Sequence, residues 1–420
     1  MPRKLIVMCV ASLGFFFVTA TTFTSLGYVL YTMVAELGWS QAVAGLSFSL
    51  LGLACGLGSP LPPIIMKAVG TRLTMFAGCI VLASGFFIAS IIQHLGFFFL
   101  ATTLMGLGFS LVAPSPAIFL LATWFPRSSA RMIGFYFMTG AAGGIAGPLI
   151  VEGIVGLTGS WRLHWMVMGI LALLLGALCL LGIRDAVKVE SVKQVTGAGS
   201  GGSRTNGSES PWTVHAAVRS PTFLILAFAM MVVQTVITTA HSTLVSHVAT
   251  LGVGAGPGAV AMSLLAFAAT IAKGCTGALS ERVPPKRLLV IGLALLSIAM
   301  TMLYAAGGLA MAYSGAAIMG LGWGIAWLSA HVLLLRYFGA AIAGDMTAMA
   351  TTATTFAVLG PIIAGRAADM TGSFGPALFG FAILLAFTTL STALFLHPPV
   401  RRGREAEAEF PEDAGLVPAE

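Results

Sequence analysis

Charge is what this chain has least of. Only 8% of its 420 residues are Asp, Glu, Lys or Arg, about a third of the share in an ordinary soluble domain. A surface so poor in charge excludes a soluble globular protein. Cysteine is scarce too. The five present (Cys9, Cys55, Cys79, Cys179 and Cys275) all sit in apolar runs without CxxC spacing, which argues against disulfide or Cys-based metal chemistry. There is no HExxH, no nucleophile elbow and no phosphate loop, so nothing points to an enzyme, and no metal or cofactor is expected. The basic start "MPRKLIVMCVASLGFFF" runs on without a small-x-small cleavage site, so it reads as a first spanning helix rather than a removable signal.

What remains is apolar. Hydrophobic residues make up 58% of the chain and its mean hydropathy is +0.98, as in a polytopic membrane protein. The 51 glycines suit that class, because small residues let helices approach where lipid gives them no hydrophobic drive to pack. Runs of at least about twenty residues cross a bilayer. Twelve are predicted, near 5 to 33, 41 to 66, 72 to 93, 96 to 124, 130 to 155, 161 to 183, 220 to 249, 257 to 280, 287 to 307, 310 to 336, 342 to 368 and 375 to 396. With both termini cytoplasmic, eighteen of the 21 Lys and Arg fall in inside segments, and only Arg162 and Arg366 fall outside. The positive-inside rule thus sets the orientation and explains the net charge of +7 without nucleic acid. One cation is left over, Lys273.

The longest polar interval, 185 to 218, contains "TGAGSGGSRTNGSES" and reads as a flexible cytoplasmic linker. It divides a six-helix bundle at 1 to 184 from a second at 219 to 397, and 398 to 420 reads as a disordered cytoplasmic tail. The halves repeat. Trp124–Phe125 answers Tyr337–Phe338, Gly147–Pro148 answers Gly360–Pro361, and "TGS" at 158 to 160 answers 371 to 373, each 213 residues on. "MGLGF" at 105 to 109 answers "MGLGW" at 319 to 323. Four such matches in order mark an internal duplication.

Two six-helix repeats joined by a cytoplasmic linker resemble the major facilitator superfamily, an all-α membrane fold whose two pseudo-symmetric bundles enclose a midplane site. Its loop motif GxxxD(R/K)xGxR(R/K) is recognisable after the eighth span as "GALSERVPPKR", with Gly277, Glu281, Arg282, Pro284, Lys286 and Arg287. After the second span it is degraded to "PIIMKAVGTR", where Lys67 takes the acidic position and Gly70 and Arg72 remain. The resemblance implies that these residues latch the outward-open state. The alternative is that they are headgroup anchors. "ELGWSQAVAGLSFSLLGL", "TWFPRSSARMIGFYFMTGAAGGIAGP", "TGSWRLHW", "YFGAAIAGDMTA" and "ADMTGSFGP" are similar to the monocarboxylate porter and oxalate:formate antiporter branch.

Lys273 stands eight residues before Glu281, roughly 12 Å inside that end of a helix. An intramembrane cation is costly unless water or a counter-ion meets it. No acid is placed to pair with it: Glu36, Glu152 and Asp369 fall near the outer face, and Glu281 and Asp345 near the inner one. An unpaired lysine in a wet cavity is a trap for an anion. The resemblance implies the same, since related porters carry an arginine four residues before the glycine that opens the second loop motif, where this chain has Lys273 before Gly277. The acid found one turn earlier in animal relatives is here Ala269, and the eleventh span has no lysine, so a monocarboxylate is preferred to a dicarboxylate. The alternative is that the eighth helix ends early and Lys273 is an anchor or gate.

By the repeat offset Tyr28 corresponds to His241, and Thr24 approximately to Thr238. These residues are candidates to hydrogen-bond the anion, against the alternative that the hydroxyls bond their own helix backbones. His241 titrates near neutrality and is the candidate proton carrier, with Lys273 as its rival. Trp323 and Trp327 share a helix face that can close the cavity, and His331 is a candidate inner-side group. Together these readings predict a monomeric secondary transporter in the cytoplasmic membrane, taking a small organic anion and coupled to protons. The competing expectation is a carrier or exporter of uncharged or amphipathic solutes with Lys273 as a gate element.

Overall fold

The structure is a computed structural model and describes residues 2–126, 128–185, 213–339 and 342–399. Among these residues every regular element is a helix. Twelve helices are long and apolar enough to cross a membrane: α1 (Arg3–Leu37), α2 (Gln41–Gly58), α3 (Leu61–Ile91), α4 (Leu95–Trp124), α5 (Arg131–Thr158), α6 (Trp161–Gly182), α7 (Pro221–Val253), α8 (Gly256–Leu279), α9 (Pro285–Tyr304), α10 (Leu309–Phe338), α11 (Asp345–Thr371) and α12 (Gly375–Phe395). Helices close their own backbone hydrogen bonds, the condition a lipid environment imposes. With an even number of spans the first begins and the last ends at one face, here called proximal; the opposite face is distal.

The expected second span, 41 to 66, forms with a kink: the regular helix stops at Gly58, Ser59 and Pro60 keep right-handed helical dihedrals, and helical turns resume at Leu61. The chain breaks at the non-helical Gly70 (φ +85), close to the expected start of the third span at 72. The left-handed φ at Gly70 is open to glycine at little cost. A side chain there would also strike the Asp185 carboxylate. Asp185 accepts hydrogen bonds from the Thr71 (2.8 Å) and Arg72 (3.3 Å) amides, so a carboxylate from the end of α6 caps the restarted helix.

Most of the expected linker, 186–212, lies outside the described residues, as does nearly all of the expected tail. The linker's described flanks are ordered, contrary to a wholly flexible 185 to 218. Asp185 is bonded as above. Val214–Val218 forms a short helix, with Thr213 accepting from the Ala216 amide.

The first six spans meet the last six at the distal side. Asp369 near the end of α11 accepts from the Gln41 (2.7 Å) and Ala42 (2.9 Å) amides that open α2. The Ser49 hydroxyl donates to the Val358 carbonyl. A Cβ at Gly45 would strike the Pro361 carbonyl oxygen, one at Gly365 that of Gln41, and one at Gly27 that of His241. Between α5 and α8, Ser263 donates to the Ile145 carbonyl (2.8 Å) and Gly144 lies against Ala266. Proximal to that level the glycine contacts of these helices turn to their own halves: Gly140 meets Phe15, and Gly277 meets Leu328. The halves are sealed distally; toward the proximal face no hydrogen bond joins them among the described residues, and the region between them there is called the cleft.

Overpacking a tight contact costs about 1–3 kcal/mol, which shifts a two-state equilibrium roughly tenfold or more. Gly45→Val and Gly365→Val are therefore expected to hold the distal face apart. Spin labels placed across that face are expected to move from a short to a longer mean separation; an unchanged distance distribution would show that the seal tolerates the added carbon.

Candidate functional site

Three helices of the second half bring their polar stripes together at the cleft. On α8, Ser263, Ala266, Thr270 and Lys273 recur at three and four residues and share one face. The first two belong to the distal seal with α5. Lys273 lies two turns beyond Ala266, roughly 10 Å along the axis, where the seal has given way to the cleft. On α7 the corresponding stripe is Gln234, Thr238 and His241. On α10 it is Trp323, Trp327 and His331.

Close packing sets their register. A Cβ at Gly320 would strike the Leu265 carbonyl oxygen, and one at Gly324 would come within 3.0 Å of the Lys273 amide nitrogen, so α10 lies directly on α8. Gly322 packs in the same way on Gly292 and Leu296 of α9. In "GLGWG" the glycines thus serve two neighbours and Trp323 is left to the cleft. Its indole lies under the Lys273 ammonium, with Nζ 3.8 Å from the ring centroid. A cation over an indole face gains up to about 2 kcal/mol when water is excluded. Among the described residues the only ion pair is Arg162–Glu36, so no carboxylate neutralises Lys273.

The rest of the cluster is aromatic. The His241 ring stands edge-on to Trp323 at 5.9 Å, and Trp327 and His331 lie 4.9 Å apart. The Nδ1 of His241 meets the Ile237 carbonyl (2.8 Å) and that of His331 meets the Trp327 carbonyl (2.8 Å). In the neutral rings Nδ1 is then the donor, which leaves Nε2 of each as an acceptor. The buried Trp323 Nε1 has no hydrogen-bond partner among the described residues.

The other expected site residues lie elsewhere or do other work. Thr24 is buried and donates to the Thr19 (3.0 Å) and Ala20 (3.1 Å) carbonyls, the backbone bonding that was its alternative. Thr238 accepts from Gln234 Nε2 at 3.3 Å, one turn away on the same stripe. Tyr28 is 3% exposed, and its hydroxyl faces the Glu152 carboxylate rather than the Lys273 cluster. Glu152 itself is drawn between the halves, against Gly256 at the start of α8, and its Oε2 is buried without a partner.

At the proximal end, Glu281, Arg282 and Lys286 line a cavity of about 370 Å³ with Ser280 and Arg336. Arg336 donates to the Ser280 carbonyl (2.8 Å), and Arg287 is exposed. Among the described residues no ion pair joins Glu281 to the first half in this distally closed state. In the first copy Gly70 and Arg72 are organised by Asp185, which the sequence reading assigned to the linker. α8 continues to Leu279, so Lys273 does not stand at the helix end.

The model of the Major Facilitator Superfamily matches residues 11–359. The chain belongs to this superfamily. It is a multi-pass membrane protein of a transporter family. Over 159 residues it is 29% identical to the uncharacterized transporter YycB of Bacillus subtilis (strain 168), a match spanning 36% of this chain and only 37% of that relative. Among solved structures, the nucleoside transporter NupG superposes with a TM-score of 0.75 at 16% identity, covering 94% of this chain and all of NupG (100%). A bacterial homolog of the human lysosomal transporter Spinster, inward-facing and occupied, gives 0.72 at 18% identity over 94% of this chain and 95% of its own. At such identities the likeness is one of fold.

A lysine held in a bundle without a carboxylate is a stability cost. Replacing it by a methionine of similar length is expected to raise the melting midpoint of this superfamily member. Relief of about 1 kcal/mol corresponds to a rise on the order of 2 °C. A fall in the midpoint of Lys273→Met, read by thermal unfolding in detergent, would instead mark Lys273 as a structural support.

Proposed function

We propose that this chain is a secondary active transporter that moves a small organic anion, most simply a monocarboxylate, by alternating access, with Lys273 as the group that recruits the anion. One observation carries the reading: an ammonium in the cleft rests on an aromatic face and has no acid beside it. A carboxylate arriving from water supplies the missing charge and forms a charge-assisted hydrogen bond stronger than a neutral one. His241 and Trp327 stand within the same cluster. Tyr28, turned to Glu152, acts on the seal in this state rather than on the anion.

The monocarboxylate porter and oxalate:formate antiporter motifs favour the same substrate class. The proton is the proposed coupling ion, carried by His241 or by Lys273 itself. The basic segments support cytoplasmic termini in the inner membrane, and the protein is taken to work as a monomer. A carrier of uncharged or amphipathic solutes, with Lys273 as a gate element, is the competing reading.

Removing one partner of a desolvated charge pair costs 2 kcal/mol or more, which is about thirtyfold or more in affinity. Uptake of labelled lactate and acetate into proteoliposomes is expected to fall by at least that factor in Lys273→Gln and to be partly kept in Lys273→Arg, with an inward proton gradient accelerating the wild type. Undiminished uptake by Lys273→Gln would reject the site and favour the uncharged-solute reading.

A further inference from the structure

We infer that the anion this site is built for carries a flat aromatic ring behind its carboxylate. The inference rests on the proposed role of Lys273 and names the substrate class of that same site. The ammonium covers the Trp323 face at 3.8 Å. A carboxylate draws that ammonium toward itself and leaves the indole face bare. Water solvates an indole face poorly, whereas a second ring stacks on it in the offset or edge-on geometries aromatic pairs prefer.

The surroundings fit a ring better than a hydroxylated chain. Lys273 lies over Trp323, His241 stands edge-on to Trp323, and one turn on Trp327 pairs with His331; each histidine has already committed one nitrogen to its own helix. The polar groups left are the Nε2 acceptor of each histidine, the unpartnered Trp323 Nε1 and the Gln234–Thr238 pair, fewer than the hydroxyls and acid oxygens of a polyol acid, and an unreplaced hydrogen bond counts against binding. A planar monocarboxylate makes one charged contact at Lys273 and otherwise presents π-surface to π-surface.

Benzoate and cyclohexanecarboxylate separate flatness from size, because both join one carboxylate to a six-membered carbon ring. Their binding to the full-length protein in nanodiscs, with acetate as the ringless reference, is measured by isothermal titration calorimetry. Aromatic pairing contributes about tenfold in affinity, so benzoate is expected to bind roughly tenfold more tightly than cyclohexanecarboxylate. Trp323→Leu is expected to reduce that ratio to about one, and Trp323→Phe to keep most of it; should the leucine variant fail to fold, Trp323→Met reads the same ratio. Equal affinity for the two ring acids, with Lys273→Gln still abolishing both, overturns the aromatic preference alone. A ratio unmoved by the tryptophan substitutions overturns the placement of the ring. If no carboxylate binds, or if all bind equally to Lys273→Gln, the proposed function falls and this inference falls with it.

Discussion

An ammonium inside a membrane-spanning bundle has to be met by something, and in this protein it is met by an indole. The contact between Lys273 and Trp323 is weaker than an ion pair by its nature: a ring quadrupole offers an ammonium about 2 kcal/mol in a dry setting, while the cost of holding the charge away from water is several kcal/mol. The deficit is not made up by an acid among the described residues. The site is therefore held short of electrostatic balance. On the proposed reading, an arriving anion removes that deficit, and this is the source of its binding energy.

The contact exists because glycines let two helices touch. Gly320 and Gly324 bring α10 onto α8, and Gly322 faces α9, so the intervening Trp323 has one direction left. The repeat uses the same device in the first half, where Gly106 meets α2 at the Leu51 carbonyl and Gly108 meets α3 at Leu82. There the residue matching Trp323 is Phe109, whose ring stands edge-on to Phe23 at 5.3 Å. The scaffold was duplicated and the charge was not. The first half supplies apolar packing where the second supplies an ammonium and two imidazoles.

The architecture was legible because lipid imposes simple rules. Span length and the 213-residue offset follow from hydrophobicity and duplication, and Lys273 stood out as the one cation that the expected orientation left unplaced. Hydropathy could not place the kink inside the second span: nothing apolar distinguishes 59 to 66 from the helix before it, and the interruption comes at Ser59 and Pro60, with the break to the next span at Gly70. Tertiary partners were out of reach for another reason. Trp323 lies fifty residues from Lys273, Asp185 more than a hundred from Thr71, and Tyr28 and Glu152 come from α1 and α5. Such pairings depend on helix rotation, which spacing within one helix cannot report. The hydroxyl of Thr24 went to its own helix, as short polar side chains in apolar helices commonly do.

The distribution of seal and site over the same helices bears on how access can change. α8 carries both the seal residues Ser263 and Ala266 and, roughly 10 Å further along the same face, Lys273. α7 carries the His241 ring, and its carbonyl at the same residue meets Gly27 across the seal. Seal and site are thus parts of two rigid rods; α10 is fixed to α8 through Gly320 and Gly324 and meets α7 through the Trp323–His241 ring contact. In the proposed cycle, rocking the second half to break the distal seal carries Lys273, His241 and Trp323 along as one body, so the cluster stays assembled while the opening changes face. A lever of this kind needs no rearrangement within the site, because packed helices move as units more readily than they deform.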